Sequence, residues 1–204
     1  MELITLNRSV SPEQYCERMM DQLREFYSDD PNSNGCSETS TAKRMGMVSR
    51  YLLEYLDGSW LDFGSGPAKL LDTIQPPNYT AVDARPNVVD GLLDRDIDAY
   101  TEVPEGERYD VVLALGACSE HTDPLTSVDT MILRGLNTFK ALWDQTDKAM
   151  IVNVPRRETD IKADKLLVKY SMYQMYKLLT MCEPRTFDLN CHELPHQYFL
   201  VMYR

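Results

Sequence analysis

The run WLDFGSGPAKLLD, Trp60 to Asp72, carries residue types that could seat a nucleotide-like ligand. An apolar stretch ends in Asp62 and Phe63, breaks at Gly64, Ser65 and Gly66, and resumes as leucines at helical spacing. Glycines at such a break let the backbone turn sharply and approach a ligand closely. Asp83, closing the next apolar run in YTAVDAR, lies 83 − 62 = 21 positions after Asp62. An acid at about that interval accepts from ribose hydroxyls. A dinucleotide turn would place a third glycine where this chain has Lys69, and Pro67 removes a backbone donor that could meet a phosphate. The turn therefore suits a ligand with ribose and no phosphate. The GxxxxGK phosphate loop is absent.

Two other groups could do chemistry. CSEHTDP, Cys118 to Pro124, offers His121 as a general base and Glu120 to orient it or bind a metal. An imidazole with a pKa of about 6.5 suits deprotonation of a phenol or hydroxyl. NVPRRETD offers Arg156 and Arg157 for a substrate carboxylate or phosphate, which a guanidinium holds bidentately. Cys118 has no basic partner placed by the sequence and reads as a small buried thiol.

The elements that must position these groups follow from the periodicity. Helices are predicted over Ser11–Tyr27, where Ser11, Pro12 and Gln14 make an N-terminal cap, and over Thr41–Leu56, stopped by Gly58. From Ser59 onward short strands alternate with helices. Strands are predicted at Trp60–Phe63, Tyr79–Asp83, near Asp94–Ile97, Tyr109–Leu115 and Ala149–Val154. Helices are predicted at Ala68–Ile74, Asn87–Leu93, Pro124–Trp143 and Ile161–Met181. Two closing runs, Arg185–Leu189 and Gln197–Tyr203, have no helix between them and must pair antiparallel. The alternation signals an α/β three-layer sandwich on a mostly parallel sheet with an antiparallel last strand. Residues 1–58 read as an N-terminal helical extension and 59–204 as the ligand-binding domain. Tyr27 and the loop Asp29–Ser40 could form a lid over the cleft.

The 204 residues suit one compact domain with such an extension. No window is apolar enough to span a bilayer, and the N-terminus lacks a secretion-signal pattern. Five scattered cysteines without CxxC spacing point to reduced thiols and a cytoplasmic location, not to a disulfide framework or a zinc cluster. A net charge of −11 disfavours non-specific binding to nucleic acid.

With these residues in view, the chain resembles the class I S-adenosylmethionine-dependent methyltransferases from Trp60 to Arg204. LDFGSGPAKLL looks like their first motif, YTAVDAR their second, and DIDAYTEVPEGERYDVVLALGACSEHTDP their third and fourth. The resemblance implies a seven-stranded sheet with the last strand inserted antiparallel. It implies that Asp62, Gly64, Ser65 and Gly66 wrap the methionine part of the cofactor. Asp83 would grip the ribose, with Ala84 and Arg85 beside the adenine. Asp98 and Ala99 would touch the adenine amine, with Asp96 as a rival, and Leu115 and Gly116 would lie next to the sulfonium.

The implied activity is methyl transfer to an oxygen or nitrogen of a small molecule. Some relatives hold a divalent ion with ExxEH, but the first glutamate position here is Ala117, so no metal is expected unless His192 and His196 complete a site. The DNA-amine motif (D/N)PP(Y/F) is missing, since the fourth strand ends in LGAC, and no Pro-Cys pair appears there. RNA hydroxyl methylation stays open through SEH, as do a protein acceptor and a non-catalytic scaffold.

Overall fold

The computed structural model describes residues 38–119, 126–158 and 167–204. The predicted helix Ser11–Tyr27 lies outside them. Among the described residues seven strands form one sheet: β1 (Ser59–Phe63), β2 (Asn78–Val82), β3 (Asp98–Tyr100), β4 (Tyr109–Leu115), β5 (Thr146–Pro155), β6 (Thr186–Asn190) and β7 (Gln197–Tyr203). Their order is β3-β2-β1-β4-β5-β7-β6. Neighbours from β3 through β5 pair parallel, while β7 runs antiparallel to both β5 and β6. This is the mostly parallel sheet with an antiparallel finish that the strand pattern predicts, and the last strand is inserted as the resemblance implies. Val111–Ala114 of β4 and Ala149–Val154 of β5 are buried without interruption, as central strands covered on both faces must be. Thr186–Asp188 of β6 are exposed, as befits an edge.

Helices cover both faces. On one side lie α1 (Glu38–Leu52) and α2 (Pro86–Leu93), which pack Met47, Val48, Leu52, Val88 and Leu92 against Trp60, Ala81 and Phe199. On the other lie α3 (Val128–Asp144) and α4 (Met172–Cys182), which pack Phe139, Trp143, Met175 and Leu178 against Met150, Val152 and Tyr198. The result is three layers, with α1 part of the main core.

Several element boundaries differ from the predicted ones, each for a local reason. The helix expected at Ala68–Ile74 shrinks to one 3-10 turn, Lys69–Asp72. Ala68 before it is left-handed at φ 51°, and Pro76 and Pro77 follow too closely for an α-helix to extend. Asp94–Ile97 is not a strand but the turn that closes α2. Asp94 N–H donates to Asp90 O and Ile97 N–H to Leu92 O, and Asp96 turns left-handed at φ 57°. The third strand therefore starts at Asp98. The helix predicted over Thr41–Leu56 starts earlier, at Glu38, and its α part ends at Leu52 before a 3-10 turn at Leu53–Tyr55.

α3 starts at Val128, where Ser127 Oγ accepts from Thr130 N–H at 3.2 Å. The predicted start of α3 at Pro124 falls outside the described residues. So does 161–166 of the helix predicted at Ile161–Met181. The rest of that helix begins only at Met172. Val168 N–H donates to Ser119 O and Tyr170 N–H to Pro155 O, which holds this stretch against the ends of β4 and β5. Ser171 and Gln174 then form a capping box.

Tyr170 ties this side together. Its ring is buried against Phe139, and its hydroxyl donates to Cys118 O at 2.9 Å. A Cβ at Gly135 of α3 would fall 2.1 Å from that hydroxyl oxygen. Alanine normally gains up to about 1 kcal/mol over glycine inside a helix. Overpacking here costs about 1–3 kcal/mol. Gly135→Ala should therefore lower the melting temperature. Gly91→Ala in α2, where a Cβ meets nothing within 4 Å, should raise it. Thermal denaturation of the two variants checks the contrast.

Candidate functional site

Strand order reverses between β1 and β4, so the loops leaving their carboxyl ends part toward opposite faces. Such a crevice is where open α/β sheets bind ligands. The loop after β1 lines one wall. Gly64 and Gly66 adopt left-handed φ of 73° and 53°, a conformation that side chains resist. Gly64 and Ser65 donate their N–H groups to Val82 O at 2.8 and 3.1 Å, which fixes the turn against β2. The loop after β4 forms the other wall. Gly116 there has φ 88° and donates to Asn153 O at 2.8 Å. The two walls meet: a Cβ on Gly64 would lie 2.9 Å from Ala117 Cβ. Substitution at Gly64 would jam the mouth of the crevice.

Two buried carboxylates face this turn. Asp83 follows β2 directly. Its Oδ2 accepts from Gly66 N–H at 2.9 Å and Arg85 NH2 at 3.0 Å, and its Oδ1 from Arg85 N–H at 3.1 Å and Arg85 Nε at 2.9 Å. Burial alone would raise its pKa, but the Arg85 guanidinium and the two backbone donors outweigh burial and hold it below the ordinary value. Asp62, the fourth residue of β1, accepts from Tyr79 Oη at 2.6 Å. Burial pushes its carboxyl up to about 6, against the Tyr79 hydrogen bond; the charge of Asp83 adds to the rise and that of Arg44 opposes it.

Arg44 is a residue the sequence reading passed over. It sits on α1, only 6% exposed, with its guanidinium 3.4 Å from Gln197 Oε1 and beside the loop after β4. A signal existed: Arg44 shares the buried stripe of α1 with Thr41, Val48 and Leu52. An arginine on the inward face of a helix is placed at a cost and needs a reason.

A second cluster stands past β5 and at the start of β7. The Arg156 guanidinium lies over the Tyr198 ring, 5.4 Å from its centre, and its Nε is 3.5 Å from Glu158 Oε2. Glu158 accepts from Tyr198 Oη at 2.6 Å and from Met172 N–H at 3.0 Å. Burial would raise Glu158, yet these donors bring it below the ordinary carboxylate value. Burial, then the bond to Glu158, pushes the Tyr198 phenol up to about 12. Arg157 points its side chain to solvent. Cys118, beside the same region, is left-handed at φ 55°.

The structure thus gathers Asp62, Gly64, Ser65, Gly66, Asp83, Ala84, Arg85, Leu115 and Gly116 at one edge. It does not bring Asp98 or Asp96 there. β3 begins with Asp98, paired in register with Thr80, two residues before the strand's carboxyl end at Tyr100. Both aspartates line an open polar cleft at the opposite, amino ends of the strands, with Ser59, Asn78 and Tyr109. The shift of β3 toward Tyr100 is the physical reason, and Ala99 is simply buried mid-strand. Tyr27, Glu120 and His121 lie outside the described residues. His192 and His196 are exposed on the link between β6 and β7, and no cluster able to hold a metal occurs among the described residues. Nor does any described helix have the length and apolarity to cross a membrane.

No family model matches the chain, and no curated protein matches it in sequence. Solved structures do match in shape. Magnesium protoporphyrin IX methyltransferase from Synechocystis PCC 6803, with S-adenosylhomocysteine bound, superposes with a TM-score of 0.62 at 12% identity, over 95% of this chain and 97% of that one. The N-methyltransferase NodS from Bradyrhizobium japonicum WM9 gives 0.62 at 11% identity, over 91% and 98%. The 1,6-didemethyltoxoflavin-N1-methyltransferase of Burkholderia thailandensis gives 0.57 at 18% identity, over 100% and 93%. The chain has the class I methyltransferase fold.

Asp62 makes the electrostatics of the crevice measurable. Its folded pKa of about 6 stands above the ordinary 3.8. The cost of its charge is absent below the lower value and complete above the upper one, so stability falls as pH rises through that window. Asp62→Asn should leave the melting temperature nearly unchanged near pH 3.5 and raise it at pH 7.5. Melting curves across pH check both arms.

Proposed function

We propose that this chain is an S-adenosylmethionine-dependent methyltransferase that modifies an oxygen or nitrogen of a small molecule. The observation that carries the reading is Asp83, buried at the carboxyl end of β2 and bonded to the N–H of Gly66 in the glycine turn. A carboxylate so placed suits a ribose diol, and the glycine cradle suits close backbone approach. Proteins of the same fold with S-adenosylhomocysteine bound support the cofactor, and those named for a porphyrin and a toxoflavin precursor support a small acceptor.

When bound, the cofactor supplies an electrophilic methyl group on a sulfonium. The chain's residues have the remaining tasks, which are binding, alignment and proton removal. Asp83 would hold the ribose hydroxyls. Gly64, Ser65 and Gly66 would wrap the amino-acid end, whose ammonium suits Asp62 and whose carboxylate suits the buried Arg44. Ala84 and Arg85 would flank the base, and Leu115 and Gly116 the reacting carbon. On the far side, Arg156 lies over Tyr198 and pairs with Glu158 at 3.5 Å, a cation for an anionic group on the acceptor. Arg157, exposed, would contribute at the rim. Glu120 and His121 follow β4 in sequence, where His121 would take the acceptor's proton and Glu120 would orient it. Tyr27 and the loop from Asp29 to the start of α1 would form a lid over the crevice and exclude water.

Calorimetric titration with S-adenosylmethionine, S-adenosylhomocysteine and NAD tests the cofactor. The first two are expected to bind at micromolar concentration and NAD not at all. Asp83→Ala should weaken binding roughly tenfold or more, the scale of a lost hydrogen bond to a charged group. A chain lacking residues 1–37 should bind more weakly while remaining folded. Failure of both adenosyl compounds to bind the folded protein would overturn the reading in favour of a non-catalytic scaffold.

Once an acceptor is found, His121→Ala should lower kcat by on the order of 100-fold or more at neutral pH. The rate of the unmodified protein should rise with pH, as a general base must shed its own proton to act. A flat profile would remove His121 from the mechanism.

A further inference from the structure

The Asp83 carboxylate is already full. An ionised carboxylate offers about four acceptor positions on its two oxygens. Here they are taken by Gly66 N–H, Arg85 N–H, Arg85 Nε and Arg85 NH2, at 2.9, 3.1, 2.9 and 3.0 Å. A ribose diol that met this carboxylate would find no open position. Two of the donors are backbone groups fixed by the glycine turn and by the start of α2, where Arg85 is the extended N-cap residue. The other two belong to one guanidinium. It contacts both oxygens, Nε on Oδ1 and NH2 on Oδ2, and its side chain is 39% exposed while that of Asp83 is 7% exposed. Departure of the guanidinium would vacate one position on each oxygen, which is what two neighbouring hydroxyls require. The side chain can leave toward solvent with the backbone bonds intact.

We infer that Arg85 is a latch on the cofactor site, a guanidinium that occupies the two diol positions of Asp83 and must be displaced for an adenosyl ligand to bind. The inference rests on the cofactor reading above. It gives Arg85 a net effect opposed to affinity, because the guanidinium must leave Asp83 before it can stand beside the base. The latch also keeps a buried carboxylate paired in the ligand-free protein, where an unpartnered charge would be costly. The Asp83 hydrogen bonds made by the guanidinium are exchanged for two hydroxyl hydrogen bonds, and binding is weakened by whatever the charged pair was worth.

The test is titration of S-adenosylhomocysteine into the unmodified protein, Arg85→Gln and Arg85→Lys, with thermal melts of each protein with and without ligand. Arg85→Gln is expected to bind up to roughly fivefold tighter, the scale of a partly exposed ion pair at the upper end of its range. Without ligand it should melt lower, and its melting temperature should rise further on saturation than that of the unmodified protein. Arg85→Lys, which keeps the charge but loses the fork, should fall between. The 2′-deoxy analogue of S-adenosylhomocysteine should show a smaller gain on Arg85→Gln, since it uses one vacated position. If Arg85→Gln is folded and binds no tighter than the unmodified protein, the latch is overturned and the cofactor reading stands. If neither binds the ligand, both fall together.

Discussion

Two negative charges buried side by side at the end of a sheet set the terms for everything around them. Asp62 and Asp83 are 4% and 6% exposed. Charges withdrawn from water must be paired or neutralised. The two carboxylates are treated differently. Asp83 is saturated by donors and stays ionised, while Asp62 has one tyrosine hydroxyl and a pKa pushed up to about 6. The neighbouring features read as responses to this constraint. Tyr79 is buried to reach Asp62, the turn bends so that Gly66 can face Asp83, and Arg44 reaches in from α1 with a positive charge that acts on Asp62. A polar knot of this kind adds little to stability on its own account.

The sheet divides the labour between its faces. The α1 and α2 side carries Tyr79, bonded to Asp62, and Gln197, which meets Arg44. Side chains on the α3 and α4 side, among them Arg156, Tyr170 and Tyr198, build a separate hydrogen-bonded cluster past β5. Strand alternation makes this separation automatic, because neighbours along β5 and β7 point to opposite faces. Gln197 and Tyr198 are adjacent in sequence, yet one meets Arg44 and the other Glu158.

Much of this was legible in the sequence. Continuous apolar runs gave away β4 and β5, and Gly64, Gly66 and Asp83 stood at intervals that mean a turn and an acceptor. Legibility failed where a few residues could satisfy two local rules. The stretch Asp94 to Asp98 carries three aspartates and one isoleucine, and alternation alone does not say that Asp96 turns left-handed to end a helix. β3 therefore starts later than the pattern suggests, and Asp98 moves away from the crevice. Arg44 was missed because charge in a helix is ordinarily read as a solvated face; only the burial of Thr41 and Val48 around it reveals the direction it points. The filling of Asp83 by Arg85 was illegible for another reason. A residue two positions along can approach or avoid a carboxylate with equal ease until φ and ψ are known.

The insertion of β7 between β5 and β6 has a bearing on how the chain reaches this structure. Among the described residues β6 has β7 as its sole partner in the sheet, and β7 is also what seals the open side of β5. The two are joined by the short link Cys191–His196, so they can form a ribbon on the microsecond scale typical of hairpins. β5 and β7 lie far apart along the chain, and a pairing of that kind is slow to find. The ribbon would dock whole, and until it did, β5 would present a bare, apolar edge of the sort that recruits other chains. The vulnerable interval in the life of this protein is set by the arrival of a single reversed strand.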